Sequence, residues 1–452
     1  MTKNLTVGNP AQLILSFALP LIIGNLFQQF YAMADTFIVG RTLGVGALAA
    51  VGSTGSLNFF ILGFIMGFTQ GTSIITSQRF GAGDEAGVRR SFAASIILDI
   101  LAALVMMIIS VALTRPLLEL LRTPADIIDQ AYSYIVYIFA GIPAIVLFNM
   151  LSNVMRAVGD SHTPLVILVA ACLINIALDF LFILVFKRGV QGAAYATVIA
   201  QLIAGLLCIP VILKKIPILH IRREDWKLDR AEFWVHIRVA LPMGFQMSLI
   251  AIGALVVQFA LNGLGTLAVA AFTAASKIDQ IATLPMSSFG AAMTTYVAQN
   301  YGARKIDRIR KGLFQCLAIS GSFSIVIGVL FFLFGHNLAA IFVEGDTTVT
   351  GLAHTYLMIN GSCYIILAIL FVCRQSLQGL GNSLVPTVAG IMELVMRMLA
   401  GIFLAQYFGF TGVCWASPLA WLGAAAPLFA AVLSNLKKLN REALAGRRPG
   451  AC

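Results

Sequence analysis

The chain has 452 residues, of which 59% are hydrophobic and only 11% charged, where soluble domains average roughly a quarter charged residues. That balance excludes a soluble globular enzyme or binding module and predicts an all-α, polytopic membrane protein. The net charge of +11 has no soluble domain on which to form a basic face, so no nucleic-acid partner is expected.

Apolar runs predict twelve spans, at approximately 11–39, 47–76, 91–113, 127–155, 163–186, 190–213, 235–261, 267–299, 312–334, 350–378, 385–407 and 412–436. The start, Met1-Thr2-Lys3-Asn4, has one basic residue and no small-residue cleavage site after the first apolar run, so that run reads as an uncleaved helix. Pro20 gives the first span a place to bend and Pro143 the fourth. The third span carries a lone acid, Asp99, nearer the cytoplasmic side, which reads either as a contact for a cationic substrate or as a solvated vestibule residue. Asn149 and Asn153, one turn apart on the fourth, are candidates for a polar lining or for polar packing.

The fifth span holds the most demanding stretch, Leu173-Ile174-Asn175-Ile176-Ala177-Leu178-Asp179-Phe180. Residues four apart share a helix face, and a charge near mid-membrane costs at least ~2.5 to 3.5 kcal/mol. Asp179 is therefore a functional candidate, the alternative being a carboxylate neutralised by a neighbouring helix for packing alone. After the sixth span, residues 214–234 with Arg222-Arg223-Glu224-Asp225-Trp226-Lys227 form an interfacial cytoplasmic linker. The seventh span offers Gln246 and Gln258, the eighth Lys277 and Asp279, and the eleventh Glu393 and Arg397. At ~1.5 Å per residue the last four lie roughly 14 to 21 Å from the outer ends. Two opposite-charge pairs are feasible there, serving as a structural clasp or as a second ion or substrate relay.

The seven cysteines are odd in number and form no CxxC; they read as packing residues, without a disulfide framework or metal site. The five histidines fall in or beside polar breaks. Of the 30 Lys and Arg, 21 lie on the side of the termini, 5 in the opposite loops and 4 within spans. The positive-inside rule then places both termini in the cytoplasm.

The chain repeats itself with an offset of 221 or 222 residues. Leu19-Pro20 recurs as Leu241-Pro242, Gln78-Arg79-Phe80-Gly81-Ala82 as Gln299-Asn300-Tyr301-Gly302-Ala303, and Gly159-Asp160-Ser161 with Pro164 as Gly381-Asn382-Ser383 with Pro386. The expected organisation is an N-terminal six-helix bundle over 1–213, the linker, a C-terminal six-helix bundle over 235–436 and a cytoplasmic tail over 437–452.

Met33-Ala34-Asp35-Thr36-Phe37-Ile38-Val39-Gly40, the Gln78-Arg79-Phe80-Gly81-Ala82-Gly83 loop, the Arg156-Ala157-Val158-Gly159-Asp160 turn and the Asn175–Asp179 pair together resemble the multidrug and toxic compound extrusion (MATE) family, over essentially the whole chain. The resemblance implies two pseudo-symmetric six-helix bundles around a central cleft. It implies a secondary antiporter of the plasma (inner) membrane, exporting diverse, often cationic and aromatic, drugs or toxic metabolites against inward H+ or Na+. No enzymatic activity and no cofactor are expected, and a single chain in the lipid bilayer is taken as the working unit. The family's N-terminal cation site maps onto Asp35, Asn175, Asp179 and Thr197. Spacing from the helix ends is consistent with it, putting the three outer groups roughly 7 to 12 Å inside the boundary at ~1.5 Å per residue. Oxygen ligands suit sodium, and two close carboxylates can instead share a proton. One branch of the family couples through carboxylates on helices seven and ten; here Gln246 and Gln258 stand on the seventh and no acid on the tenth, which moves the expected coupling site to the first half. The substrate cleft is expected to involve Asn149, Asn153, Asp99 and Gln246.

The competing reading is a lipid-linked oligosaccharide flippase of the same superfamily, whose cleft would need several unpaired Lys or Arg for phosphates. Lys277 and Arg397 have acids nearby instead. A membrane enzyme would need a metal triad or a nucleophile with its base, and no HExxH, and no GxSxG with a plausible base, occurs.

Overall fold

A computed structural model describes residues 3–227, 229–341 and 347–445, with side chains to residue 442; the last part of the expected tail, 446–452, lies outside them. Among the described residues every regular element is helical. In order these are α1 (Pro10–Leu43), α2 (Val45–Ser53), α3 (Gly55–Ala82), α4 (Glu85–Leu120), α5 (Ile128–Ala140), α6 (Ile142–Ala157), α7 (His162–Asp179), α8 (Val190–Lys215), α9 (Arg230–Asn262), α10 (Thr266–Gly302), α11 (Ile306–Ala340), α12 (Thr347–Ser362), α13 (Tyr364–Gly379), α14 (Leu384–Leu399) and α15 (Ala405–Ala445). Eight apolar runs are long enough to cross a bilayer unaided, and two bent pairs, α5 with α6 and α12 with α13, bring the number to ten. The longest run, Leu384–Glu442, folds back at Gly409, whose φ of 56° and ψ of −132° break the helix, and makes two passes. The twelfth is α10, 37 residues long, whose Lys277 and Asp279 lower its apolarity.

The duplication is written into the backbone. Left-handed positions Gly44, Gly83 and Gly159 recur as Gly265, Arg304 and Gly381. The α5–α6 break bends by 47° and the α12–α13 break by 51°. At the first, Pro143 occupies the opening turn of α6, where its missing N–H costs nothing. A π-helical turn follows α7 (Phe180–Val185) and another follows α14 (Ala400–Leu404).

The chain forms two compact units, Met1–Asn4 with Pro20–Ser248 and Leu5–Leu19 with Leu249–Cys452. The division falls inside α1, at Pro20, and inside α9, after Ser248. In the first unit, α3 presents Gly63, Gly67 and Gly71 in a four-residue stripe to the start of α9. A Cβ on Gly67 would stand 2.4 Å from the Met243 carbonyl oxygen, and one on Gly71 2.4 Å from the Ala240 Cα, so the two backbones touch there. The linker packs on α4 through buried Ile216 and Leu219 and through Asp225, which accepts from Arg89 Nε at 3.2 Å. Gly159, at φ 90°, lies so near the chain start that a Cβ would fall 2.0 Å from the Lys3 carbonyl oxygen.

In the second unit, the N-terminal segment is held by the end of α10 and the start of α11. Gln299 Oε1 accepts from Leu5 N at 2.9 Å, Lys305 Nζ donates to the Thr6 carbonyl at 2.9 Å, and Arg308 Nη1 donates to the Gly8 carbonyl at 2.9 Å.

Candidate functional site

Three helices of the first unit each deliver two polar side chains one turn apart to a common place. These are Tyr31 and Asp35 of α1, Asn175 and Asp179 of α7, and Thr197 and Gln201 of α8. The i, i+4 spacing puts both members of a pair on one face, and the packing of α7 on α8 brings two of the pairs together. Thr197 Oγ1 is the hub: it pairs with Tyr31 Oη at 3.0 Å and accepts from Asn175 Nδ2 at 3.4 Å. The carboxyl groups of Asp35 and Asp179 lie within electrostatic reach of each other, and Tyr31 and Tyr134 of α5 within reach of both.

Asp179 is completely buried and Asp35 and Asn175 nearly so. Among the described residues, both oxygens of Asp179, Oδ1 of Asp35 and Oδ1 of Asn175 have no hydrogen-bond donor. Buried acceptors are ordinarily satisfied, and leaving charged ones bare costs more than leaving neutral ones. Four orphan oxygens converging in one place therefore suit a cation. A proton shared by the carboxyl pair would meet the need, and so would sodium, which takes carboxylate and amide oxygens. The π turn immediately after Asp179, with Phe186 N bonded to the Leu181 carbonyl at 2.9 Å, widens the helix at this point.

Asp35 forms part of the wall of a cavity of about 460 Å³ in the same unit, lined among others by Gln28, Tyr31, Asn149, Thr197 and Gln201. A small niche beside it reaches Asn175 between Tyr31 and Thr197. Asn149 thus lines the cavity, its Nδ2 donating to the Ile145 carbonyl at 2.8 Å. Asn153 is one turn further and donates to Thr69 Oγ1 at 3.3 Å. Asp99 lies elsewhere: it is completely buried between α3 and α4, accepting from Thr72 Oγ1 at 3.2 and 3.1 Å, so it is not a solvated vestibule residue. Gln246 is buried on α9.

In the second unit the four charged residues sort differently from two simple pairs. Glu393 is the centre of a triad, accepting from Arg397 Nη2 at 2.9 Å and from Arg374 Nη2, with all three largely buried. Asp279 instead accepts from the Tyr364 hydroxyl. Among the described residues Lys277 has no ion-pair partner. Reading the sequence without Arg374 as a partner missed the triad, because Arg374 stands on a different helix and no local spacing links it to Glu393. Tyr31 and Gln201 were missed as well; their signal is the four-residue spacing from Asp35 and Thr197.

The MatE family model matches residues 20–181 and 242–403, one match in each half of the duplication. A probable multidrug resistance protein, YoeA, of Bacillus subtilis (strain 168) is 30% identical over 84% of this chain and 83% of its own length. A second from the same strain, YpnP, is 29% identical over 93% and 91%. Among solved structures, an outward-facing multidrug resistance MATE family transporter of the MOP superfamily superposes with a TM-score of 0.90 at 23% identity, covering 97% of this chain and 99% of that one.

Proposed function

Since this chain belongs to the multidrug and toxic compound extrusion family, we propose that it exports diverse, often cationic and aromatic, small molecules in exchange for inward-moving H+ or Na+. The observation that carries this reading is the set of buried oxygens of Asp35, Asn175 and Asp179 that lack a donor among the described residues, of which Asp35 also lines a cavity roomy enough for a small organic molecule. Asp35 belongs to both the acid pair and the cavity lining, so ion and drug meet at one group. A cationic drug in the cavity is attracted by ionised Asp35. Loading the pair with H+ or Na+ removes that attraction, and also the cost of holding two bare carboxylates together, so it favours a tighter packing of α1 on α7 and α8. Each cation taken up thereby lowers affinity for drug, which is what exchange requires.

In this reading Asn175 and Thr197 orient the pair, and Asn149 takes part in the drug-binding wall beside the aromatic rings of Tyr31, Tyr134 and Phe148. The Arg374–Glu393–Arg397 triad serves as a clasp of the C-terminal bundle. The protein works as a single chain in the plasma membrane with both termini in the cytoplasm. The pairing of the triad's two arginines with Glu393 argues against a flippase, whose phosphate-bearing cargo needs free guanidinium groups.

The test is transport of a fluorescent cationic dye in proteoliposomes, with pH and sodium gradients imposed separately, comparing the native chain with Asp179→Asn. Native export driven by one gradient and lost in the variant is the expected result. Export indifferent to both gradients ends the antiport reading, and normal export by Asp179→Asn ends the site assignment.

A further inference from the structure

Two buried titratable groups of the first unit play no part in that site: Asp99 on α4 and His236 on α9, both with no exposed surface. They stand at the two ends of a polar seam. On α3 the polar residues Thr69, Thr72, Thr76 and Arg79 recur at alternating three- and four-residue spacings, and on α4 Ser91, Ser95 and Asp99 recur every four. These spacings put the members of each set on one face of their helix, and the two sets meet in the interior. Thr72 Oγ1 donates to Asp99, Thr76 Oγ1 meets Ser91 Oγ at 2.8 Å, and Ser91 Oγ meets His236 Nε2 at 2.9 Å. His236 Nδ1 lies 2.9 Å from the Glu232 carbonyl oxygen, which only accepts, so Nδ1 carries the hydrogen and Nε2 accepts from Ser91. Glu232 Oε1 is 3.6 Å from the same Nδ1, and Arg79 grips both Glu232 oxygens at 2.7 Å. At the other end, Thr72 Oγ1 also donates to the Thr69 carbonyl at 3.0 Å, and Thr69 Oγ1 accepts from Asn153 Nδ2 at 3.3 Å, one helical turn along α6 from the cavity-lining Asn149.

We propose that this seam is a proton conduit, carrying protons released at the cavity through Asp99, the hydroxyls and His236 to Glu232 at the cytoplasmic end. The proposal rests on the antiport reading and fixes its coupling ion as H+. Chains of acid, hydroxyl and imidazole groups are the ordinary means of moving protons through a membrane interior. Packing alone would be served more cheaply by apolar residues, because a buried carboxylate with a single hydroxyl partner is costly. Among the described residues no charged group is in contact with Asp99; His236 faces Glu232 on its own helix, Arg79 from α3 and Ser91 from α4.

Each hydroxyl gives up one proton as it takes another. A proton entering His236 at Nε2 leaves from Nδ1 toward Glu232, and the ring changes tautomer with its charge restored. Ser95 is the break in the chain. Its Oγ donates to the Ser91 carbonyl at 2.9 Å and lies 3.4 Å from the Thr72 carbonyl, between the Asp99 end and the Ser91 end. The conduit requires that hydroxyl to rotate from its carbonyl partners to bridge the two ends, which makes Ser95 the positioning residue on which its opening depends.

The test compares Ser95→Ala and Asp99→Asn with the native full chain in proteoliposomes. Export of a fluorescent cationic dye driven by a pH gradient should fall about tenfold in both variants. Dye-for-dye exchange at equal pH on both sides moves no net protons, and it should stay within about twofold of native, as should equilibrium dye binding. A purely structural seam predicts that exchange and gradient-driven export fall together, and that outcome overturns the proposal, as does undiminished gradient-driven export. If Asp99→Asn does not fold, Ser95→Ala decides alone. A native chain driven by sodium only refutes the conduit and leaves antiport standing, whereas a native chain driven by neither gradient refutes antiport itself.

Discussion

Tyr31 Oη and Thr197 Oγ1 meet at 3.0 Å, and the same Oγ1 accepts from Asn175 at 3.4 Å, so one threonine hydroxyl ties α1, α7 and α8 together beside two buried acids. Thr197→Val keeps the shape of the side chain and removes the tie. Asn175 is then left with a buried donor lacking an acceptor, a loss of about 1–3 kcal/mol. The variant should melt several degrees lower in detergent and transport dye more slowly, while Thr197→Ser restores both. Thermal melting with parallel dye efflux checks this.

Asp179→Asn should separate stability from function. The substitution removes an ionisable group whose two oxygens have no donor, so the folded state gains or holds its stability. Gradient-driven transport, which needs the charge to come and go, should drop at least about tenfold. A melting temperature equal to or above native, alongside lost efflux, is the expected pair of readings.

The triad of the second unit behaves in the opposite sense. Glu393→Gln leaves Arg374 and Arg397 facing each other without their shared carboxylate, and breaking a buried pair by removing one partner costs about 3–5 kcal/mol. Lys277→Gln, which removes no ion pair seen among the described residues, should be close to neutral. Comparing the two variants by melting and by yield of monodisperse protein tests the assignment.

Gly67→Val and Gly71→Val should each disable assembly of the first unit, because the new Cβ would lie 2.4 Å from backbone atoms of α9 and neither helix can retreat without opening the core. Poor expression or early elution on size exclusion is the expected outcome. Gly46→Val, where the space beyond the Cβ is open, serves as the control.

The sequence made the twelve passes and the duplication legible because apolar length and a constant offset are one-dimensional properties. Asn175 and Asp179 were legible for the same reason: a four-residue spacing is local. That Asp35 and Thr197 join them came only through the family resemblance, since nothing local connects α1 to α7 and α8. The partners of Glu393 and of Asp99 depended on which helix packs on which, and that is not recorded in spacing along the chain. The placement of the first half of α9 in the first unit was written in the glycine stripe of α3, a spacing visible in the sequence but not assignable to a neighbour without the fold.

The wide turns after α7 and α14 occupy corresponding places in the two halves, yet an acid precedes the first, at Asp179, and an apolar residue, Leu399, precedes the second. A wide turn thus forms at this place in the second half with no acid directly before it, so the distortion belongs to the repeated backbone and the charge at Asp179 is an addition to it.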